Sequence, residues 1–351
     1  VRQTVVVAMS GGVDSSVAAY LLKQQGYEVK GLFMQNWESD AKDKSCTIKQ
    51  DALDVIAVAE VLDIDIDIIN FAKEYKEKVF AYFIAEYKAY RTPNPDILCN
   101  SEIKFKVFLD YAINCGADYI ATGHYVSKFE HNQLNYLMKA KDLNKDQSYF
   151  LYRLNQYQVA KSLFPLAHLT KPEVRAIAEK INLPNAKKKD STGICFIGKK
   201  DFRNFLNSYI AYQPGDILCL DSKQKLGTHQ GLSYYTIGQR QGIGLSGGPW
   251  FVADKDVKNN ILFVAKGHQH PLLYGSNLIA KQLSFINSKK ITPGNYVAKI
   301  RYRMQDAVCS LDYIDDETID IHFSQPQFAI TRGQSLVLYQ DNICLGGGII
   351  W

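Results

Sequence analysis

Over its first 125 residues the chain alternates short apolar runs with stretches of helical period, and few folds accept that rhythm. Strand-like Thr4 to Ala8 is followed by a helix through Val17, Leu21 and Leu22, then strand-like Val29 to Met34. Helical Ala52 to Leu62, alternating Asp65 to Asn70, two long amphipathic helices (Phe71 to Tyr90 and Ser101 to Cys115) and strand-like Tyr119 to Thr122 follow. Strands that alternate with helices form a parallel sheet wound on both faces, so the expected class is α/β with a doubly wound sheet. Ligands of such sheets sit beyond the carboxyl ends of the strands. Ser10 to Ser16, Met34 and Gly123-His124 all fall there.

After Asn155 the chain reads as helical to about Asn182, with Thr170 as N-cap, and then enters a lysine-rich, aperiodic stretch from Leu183 to Gly198. From about Asp201 a short helix leads into glycine-rich strands, with turns at Asp221-Ser222 and Asn259-Asn260. Strict alternation at Tyr296 to Arg303, Ala307 to Ile314, Thr318 to Phe323 and Ser335 to Tyr339, with hairpin signals at Asp315-Asp316 and Asp341-Asn342, predicts a closing β-barrel of about six strands. The expected domains are 1–200, 201–272 and 273–351.

No apolar run is long enough to span a membrane, and Val1 to Met9 reads as a strand rather than a leader, so the expected compartment is the cytoplasm. The seven cysteines include no C-x-x-C pair, which argues against a zinc knuckle, and no metal site of the protein's own is expected. A formal charge of +5 permits a nucleic-acid partner without requiring one.

Ser10-Gly11-Gly12-Val13-Asp14-Ser15-Ser16 lies between a strand and a helix, where small residues let backbone N–H groups close on an anion at the helix N-terminus. The lysine of a Walker loop is absent; Asp14 suggests a metal-assisted contact instead. The plain alternative is a βα turn with a serine cap. The full S-G-G-x-D-S string resembles the loop of enzymes that split ATP between its α and β phosphates. That resemblance implies AMP transfer, with ATP, accompanied by Mg2+, held by Ala8, Met9, Ser10, Gly11, Gly12, Val13, Asp14 and Ser15, and with Met34 and Gly123 flanking the adenosine.

Two cysteines stand in non-core contexts. Cys99 follows Asn94-Pro95-Asp96 and precedes a helix expected to be capped by Asn100 or Ser101, so the helix N-terminus would favour its thiolate; Asp96 is near enough to act as acid or base. Cys195 follows Lys187-Lys188-Lys189 in the basic stretch. Each alone reads equally as a loop cysteine. Together with a loop that activates oxygen, they suit oxygen-for-sulfur exchange, because the oxygen must become a leaving group and a persulfide must be resolved by a second thiol.

The strings A-M-S-G-G-V-D-S at 8 to 15, T-P-N-P-D-I-L-C-N at 92 to 100, A-T-G-H-Y at 121 to 125, K-D-Q-S-Y-F at 145 to 150, D-S-T-G-I-C-F-I-G at 190 to 198, Y-T-I-G-Q-R at 235 to 240 and K-I-R-Y-R at 299 to 303 run through the whole chain in order. On these the chain resembles the bacterial-type tRNA 2-thiouridylases. The resemblance implies an adenine nucleotide α hydrolase-like first domain and ATP-dependent thiolation of the wobble uridine at C2. It implies Cys195 as persulfide carrier, Cys99 as the nucleophile that forms a transient disulfide with it, and Asp96 as acid/base. Asn94, Pro95 and Asp96 would hold the target uridine; His124, Lys145, Asp146, Gln147, Arg301, Tyr302 and Gln334 would touch the tRNA. Implied partners are tRNA and a persulfide-donating relay protein, with no membrane. Two rivals remain at this point: a ligase with the same loop that joins nitrogen and needs neither cysteine, and a nucleotide-sensing RNA-binding protein.

Overall fold

A computed structural model describes residues 2–38, 48–190 and 202–351. The first domain carries β1 (Thr4–Met9), α1 (Val13–Gln24), β2 (Glu28–Gln35), α2 (Ile48–Leu62), β3 (Ile66–Asn70), α3 (Ala72–Tyr75) and α4 (Ala81–Lys88), the last two joined by a π-helical turn, Lys76–Phe80. Next come α5 (Pro95–Leu98), a π-helical segment Cys99–Val107 that continues it, α6 (Phe108–Asn114) and β4 (Tyr119–Ala121). The hairpin β5 (Ser127–His131) and β6 (Leu134–Met138) then leads to α7 (Gln156–Ala160), β7 (Ser162–Leu163) and α8 (Lys171–Lys180).

Strands β3-β2-β1-β4-β7 form one sheet in that order, all parallel. Along β1 the side chains alternate between two cores. Val5, Val7 and Met9 pack with Val17 and Leu22 of α1, Val58 of α2 and Val174 of α8. Val6 and Ala8 face Tyr75, Phe83, Ile103 and Phe108 on the other side. A strand buried on both faces needs the near-continuous apolar run this one has.

The second unit holds α9 (Phe202–Asn207), β8 (Gly215–Cys219), β9 (Lys225–His229), β10 (Trp250–Asp256) and β11 (Ile261–Lys266), in the order β10-β11-β8-β9. The sequence reads as glycine-rich strand from Gly227 to Gly248; the strand ends at His229, and the rest forms a short 3-10 turn, Leu232–Tyr234, and a series of glycine turns.

The third unit is β12 (Tyr274–Phe285), β13 (Gly294–Lys299), β14 (Ala307–Asp315), β15 (Thr318–Phe328), β16 (Ser335–Gln340) and β17 (Ile343–Ile350). Pairing of β12 with both β15 and β17 closes them into a six-stranded barrel around Leu311, Ile319, Ile321 and Leu338. The first domain's β5–β6 hairpin extends this sheet, since β6 pairs with β17 at Met138↔Ile343 and Leu137↔Cys344.

Three expectations are corrected. The helix containing Cys99 does not begin at Asn100 or Ser101: Asn94 caps it, its side chain accepting from the Asp96 N–H at 3.1 Å, and Pro95 takes the first position, where its missing N–H costs nothing. The stretch from Asn155 to Asn182 is not one helical region but α7, the edge strand β7, and α8. Strand β13 ends at Lys299, so Arg301 and Tyr302 sit in the turn beyond it rather than on the strand.

Candidate active site

The loop after β1 turns on Gly11 at φ +74°, and a Cβ there would lie 2.7 Å from the Asp51 carbonyl oxygen of α2. Gly12 is the N-cap of α1 and, having no side chain, leaves the first-turn N–H groups of this helix without a cap from that position. Ser15 and Ser16 donate back to the Gly12 carbonyl at 3.1 Å and 3.0 Å, and the Ser10 N–H donates to Ser15 Oγ at 3.2 Å, which shapes the loop from within. Gly123, after β4, lies against it so closely that a Cβ would be 2.6 Å from the Ser15 nitrogen. Ala8, Met9 and Val13 are buried and offer the site only backbone; Met34 is half-buried at the end of β2.

A charge network surrounds this loop. Lys171, buried at the start of α8, places Nζ 2.7 Å and 2.8 Å from the two Asp14 oxygens, and Tyr125 donates to Asp14 Oδ1 at 2.8 Å. Asp190 receives three cations: Lys145 at 2.7 Å, Lys171 at 2.8 Å and Arg175 at 2.9 Å. Burial works to raise the Asp190 carboxyl, but hydrogen bonds and charge from Lys171 and Lys145 prevail and hold it at about 2. Lys188 binds Asp51 at 2.7 Å, Asp54 at 2.5 Å and the Gly11 carbonyl, and Asn185 Nδ2 donates to Gly11 O and Ser16 Oγ. Lys171, Arg175, Lys188, Asn185, Tyr125 and Asp190 are the residues that sequence reasoning did not assign. The one usable signal was Thr170-Lys171-Pro172-Glu173, whose capping geometry is realised, with Glu173 accepting from the Thr170 N–H at 2.6 Å.

The second cluster lies on the helix that starts at Pro95. Cys99, expected outside the core, is buried within it, and it is the fifth helical residue, past the first turn where the dipole acts, so the N-terminal effect expected for it is weak. Asp96, one turn earlier, keeps contact with water, yet protein crowds its carboxyl closely enough that desolvation raises it, opposed by the charge of Lys104. His124 is buried, hydrogen-bonded through Nδ1 to Thr122 Oγ1 at 2.8 Å and packed on Phe105. Desolvation, aided by Lys104, drives its ring well below the usual histidine range, so it is neutral. Gly123 lies against the loop at Asp14-Ser15 and its neighbour His124 packs on Phe105 of the Cys99 segment, so the two clusters meet there.

The residues expected to touch RNA divide in two. Lys145 is engaged with Asp190 beside the loop, and Gln334 Nε2 reaches from the barrel to the Thr92 carbonyl at 2.8 Å, just ahead of Asn94, Pro95 and Asp96. Asp146 is buried and accepts from Ala140 N, Ser148 N and Ser148 Oγ, while Gln147 Oε1 accepts from the Tyr125 N–H. Arg301 spends one nitrogen on Ile237 O at 2.8 Å, Ala329 O at 2.9 Å and Thr331 Oγ1 at 2.5 Å; Tyr302 packs on Phe150 with ring centres 4.3 Å apart. These four hold the molecule together where they stand. Cys195 and its neighbours in the expected sulfur loop lie outside the described residues.

Comparison with known proteins adds to this geometry. The family model described as the tRNA methyl transferase HUP domain matches residues 3–199, the tRNA methyl transferase PRC-barrel domain matches 203–266, and the aminomethyltransferase beta-barrel domain matches 275–350. A protein of Neisseria meningitidis serogroup A named tRNA-specific 2-thiouridylase MnmA is 58% identical over 348 residues, 99% of this chain and 95% of the relative. The protein of that name from Thiobacillus denitrificans is 58% identical over 355 residues, covering 99% of each chain. That from Nitrosomonas europaea is 55% identical over 359 residues, 99% of this chain and 98% of its own.

Proposed function

The chain belongs to the tRNA-specific 2-thiouridylase family, and we propose that its two residue clusters divide the work of that activity: the loop at Ser10 to Ser15 activates the uridine oxygen and the helix at Asp96 to Cys99 completes the sulfur transfer. It is a tRNA sulfurtransferase that forms 2-thiouridine. The observation that carries the division of labour is the pair of distinct clusters, one built of backbone N–H groups and cations, the other of a carboxyl and a thiol, meeting at Gly123-His124.

The first cluster fits a nucleoside triphosphate. An uncapped helix start, a backbone approach that leaves no room for a Cβ at Gly123, and Lys145, Lys171 and Arg175 already gathered on one carboxylate are the features a polyphosphate needs. Ser10, Gly11, Gly12, Val13, Asp14 and Ser15 would hold it, with Met34 and Gly123 beside the adenosine and Asp14 the carboxylate that an accompanying Mg2+ would meet. ATP bound there supplies the AMP group that makes the C2 oxygen of the wobble uridine a leaving group.

Asn94, Pro95 and Asp96 position the base, which must leave its stack to reach them. The terminal sulfur of a persulfide on Cys195 bonds to C2, and the activated oxygen departs with AMP. The Cys99 thiolate then attacks the inner sulfur of Cys195, breaking the persulfide S–S bond, leaving sulfur on C2 and forming a Cys99–Cys195 disulfide that an external thiol reduces. Asp96 exchanges the protons. A relay protein delivers the persulfide, and the setting is the cytoplasm; no helix among the described residues is long and apolar enough to cross a membrane.

The test is mass spectrometry of digested tRNA after incubation with ATP and a persulfide source. The wild-type chain is expected to give 2-thiouridine, and Cys99→Ser and Cys195→Ser are expected to form AMP but little product. Normal product from both variants would remove the cysteines from the chemistry, and a methylated base instead of a thiolated one would overturn the reading.

A further inference from the structure

The helix that carries Asp96 and Cys99 widens into a π-helix from Cys99 to Val107. Hydrogen bonds in such a segment run from i to i+5, so residues five apart stack one turn above each other. Cys99 and Lys104 are five apart, and Asp96, three before Cys99, shares that face. An ordinary α-helix would swing Lys104 well away from Cys99, because there it is i and i+4 that align. The wide turn thus puts Lys104 on the face of the helix that carries Cys99 and Asp96, and its charge reaches Asp96.

Three further observations mark this lysine. It is half-buried between the fully buried Ile103 and Phe105, and Phe105 packs on His124. Its charge is felt by both Asp96 and His124. Among the described residues no carboxylate pairs with it: the nearby Glu102 is taken by Lys106 at 3.0 Å. Among the described residues its charge reaches Asp96 on its own helix and His124 from the loop after β4, while buried Tyr75 and Tyr149 lie on elements packed against the segment. Of the two groups its charge reaches, Asp96 is the one that carries a negative charge near neutrality, and desolvation works against it.

We propose that Lys104 is a positioning residue for sulfur transfer, its ammonium holding Cys99 as the thiolate that attacks the persulfide and Asp96 as the carboxylate that accepts a proton. The S–H bond of Cys99 breaks, its proton leaves to solvent by way of Asp96, and the remaining charge on sulfur is balanced by Lys104. This role replaces the helix-terminus stabilisation that a cysteine beyond the first turn does not receive. It rests on the sulfur-transfer reading above.

The experiment compares Lys104→Met and Lys104→Arg with wild type in the full chain, measuring 2-thiouridine and AMP from the same incubations between about pH 6 and pH 9, the range that brackets thiol ionisation. The ratio of 2-thiouridine to AMP is expected to fall on the order of tenfold at neutral pH in Lys104→Met, to recover as pH rises, and to be restored by Lys104→Arg, since one unit of thiol pKa is about tenfold in thiolate. A ratio that is unchanged, or that falls equally at every pH, overturns the proposal; so does equal loss of AMP and 2-thiouridine, which would place Lys104 in activation. Thermal melts accompany each variant, and Lys104→Gln replaces the methionine variant if that one does not fold. Absence of 2-thiouridine from wild type would instead refute the underlying function.

Discussion

Lys171 and Asp14 stand 157 positions apart in sequence, yet the lysine ammonium lies within 2.8 Å of both carboxylate oxygens. The contact joins the start of α8 to the first turn of α1, so the acid of the loop after β1 is held by a cation from the far end of the domain.

Lys171→Met is therefore expected to depress activation more than RNA binding. Removing one preorganised charge from a site where negative charge gathers typically costs about 10²–10³ in rate. Measured tRNA-dependent AMP release should fall by at least the lower figure while tRNA retention on filters is little changed. Equal loss of both would show that the lysine supports the fold instead.

Asp190 pairs with Lys145, Lys171 and Arg175, the cations proposed to meet the polyphosphate. Asp190→Asn should lower the KM for ATP a few-fold, because the cations are no longer occupied by a full charge. A raised KM would mean that Asp190 positions the cations rather than shielding them.

His124 is held neutral in the folded chain, its ring driven below the ordinary histidine range first by burial and then by Lys104. Below the unfolded pKa of about 6.5 the unfolded chain binds the extra proton and the folded one does not, so stability falls as pH drops through that value. Denaturant titrations of wild type should lose stability from about pH 6.5 downward, and His124→Asn should flatten that slope. Identical slopes would sink the assignment.

Arg301 was expected at the RNA surface, but its guanidinium ties the small β unit at Ile237 to the barrel at Ala329 and Thr331. Arg301→Met is expected to cost about 1–3 kcal/mol through acceptors left without a donor. The salt dependence of tRNA binding should keep its slope; a slope reduced by about one would reveal a phosphate contact.

Much of the fold was legible because local pattern and tertiary role agree. Strand β1 reads as a strand buried on both faces and is one, and the Asp315-Asp316 and Asp341-Asn342 signals fall between β14 and β15 and between β16 and β17. The loop at Ser10 to Ser16 was legible as a contiguous string between a strand and a helix. What stayed hidden depends on partners far along the chain. Strand β7 has two residues, too few to show a period, and exists because β4 offers it an edge. The β5–β6 hairpin is a strand pair completed by β17, two hundred residues on. The helix start at Pro95 was written in Asn94-Pro95, but Asn100 and Ser101 offered rival caps nearer the apolar run, and the earlier start puts Cys99 inside the helix rather than ahead of it. For Lys171 the sequence showed only its place beside the Thr170 cap; a salt-bridge partner 157 positions away leaves no local trace.

That hairpin bears on any attempt to exchange parts between enzymes of this kind. A graft joined at the covalent boundary before β12 would tear β6 from β17 and expose two unpaired edges, each a template for aggregation. The portable unit is the barrel together with residues 127–138, which belong to it by hydrogen bonding although the polypeptide assigns them elsewhere. Chimeras that respect this seam should stay in solution; those cut by sequence order alone should not.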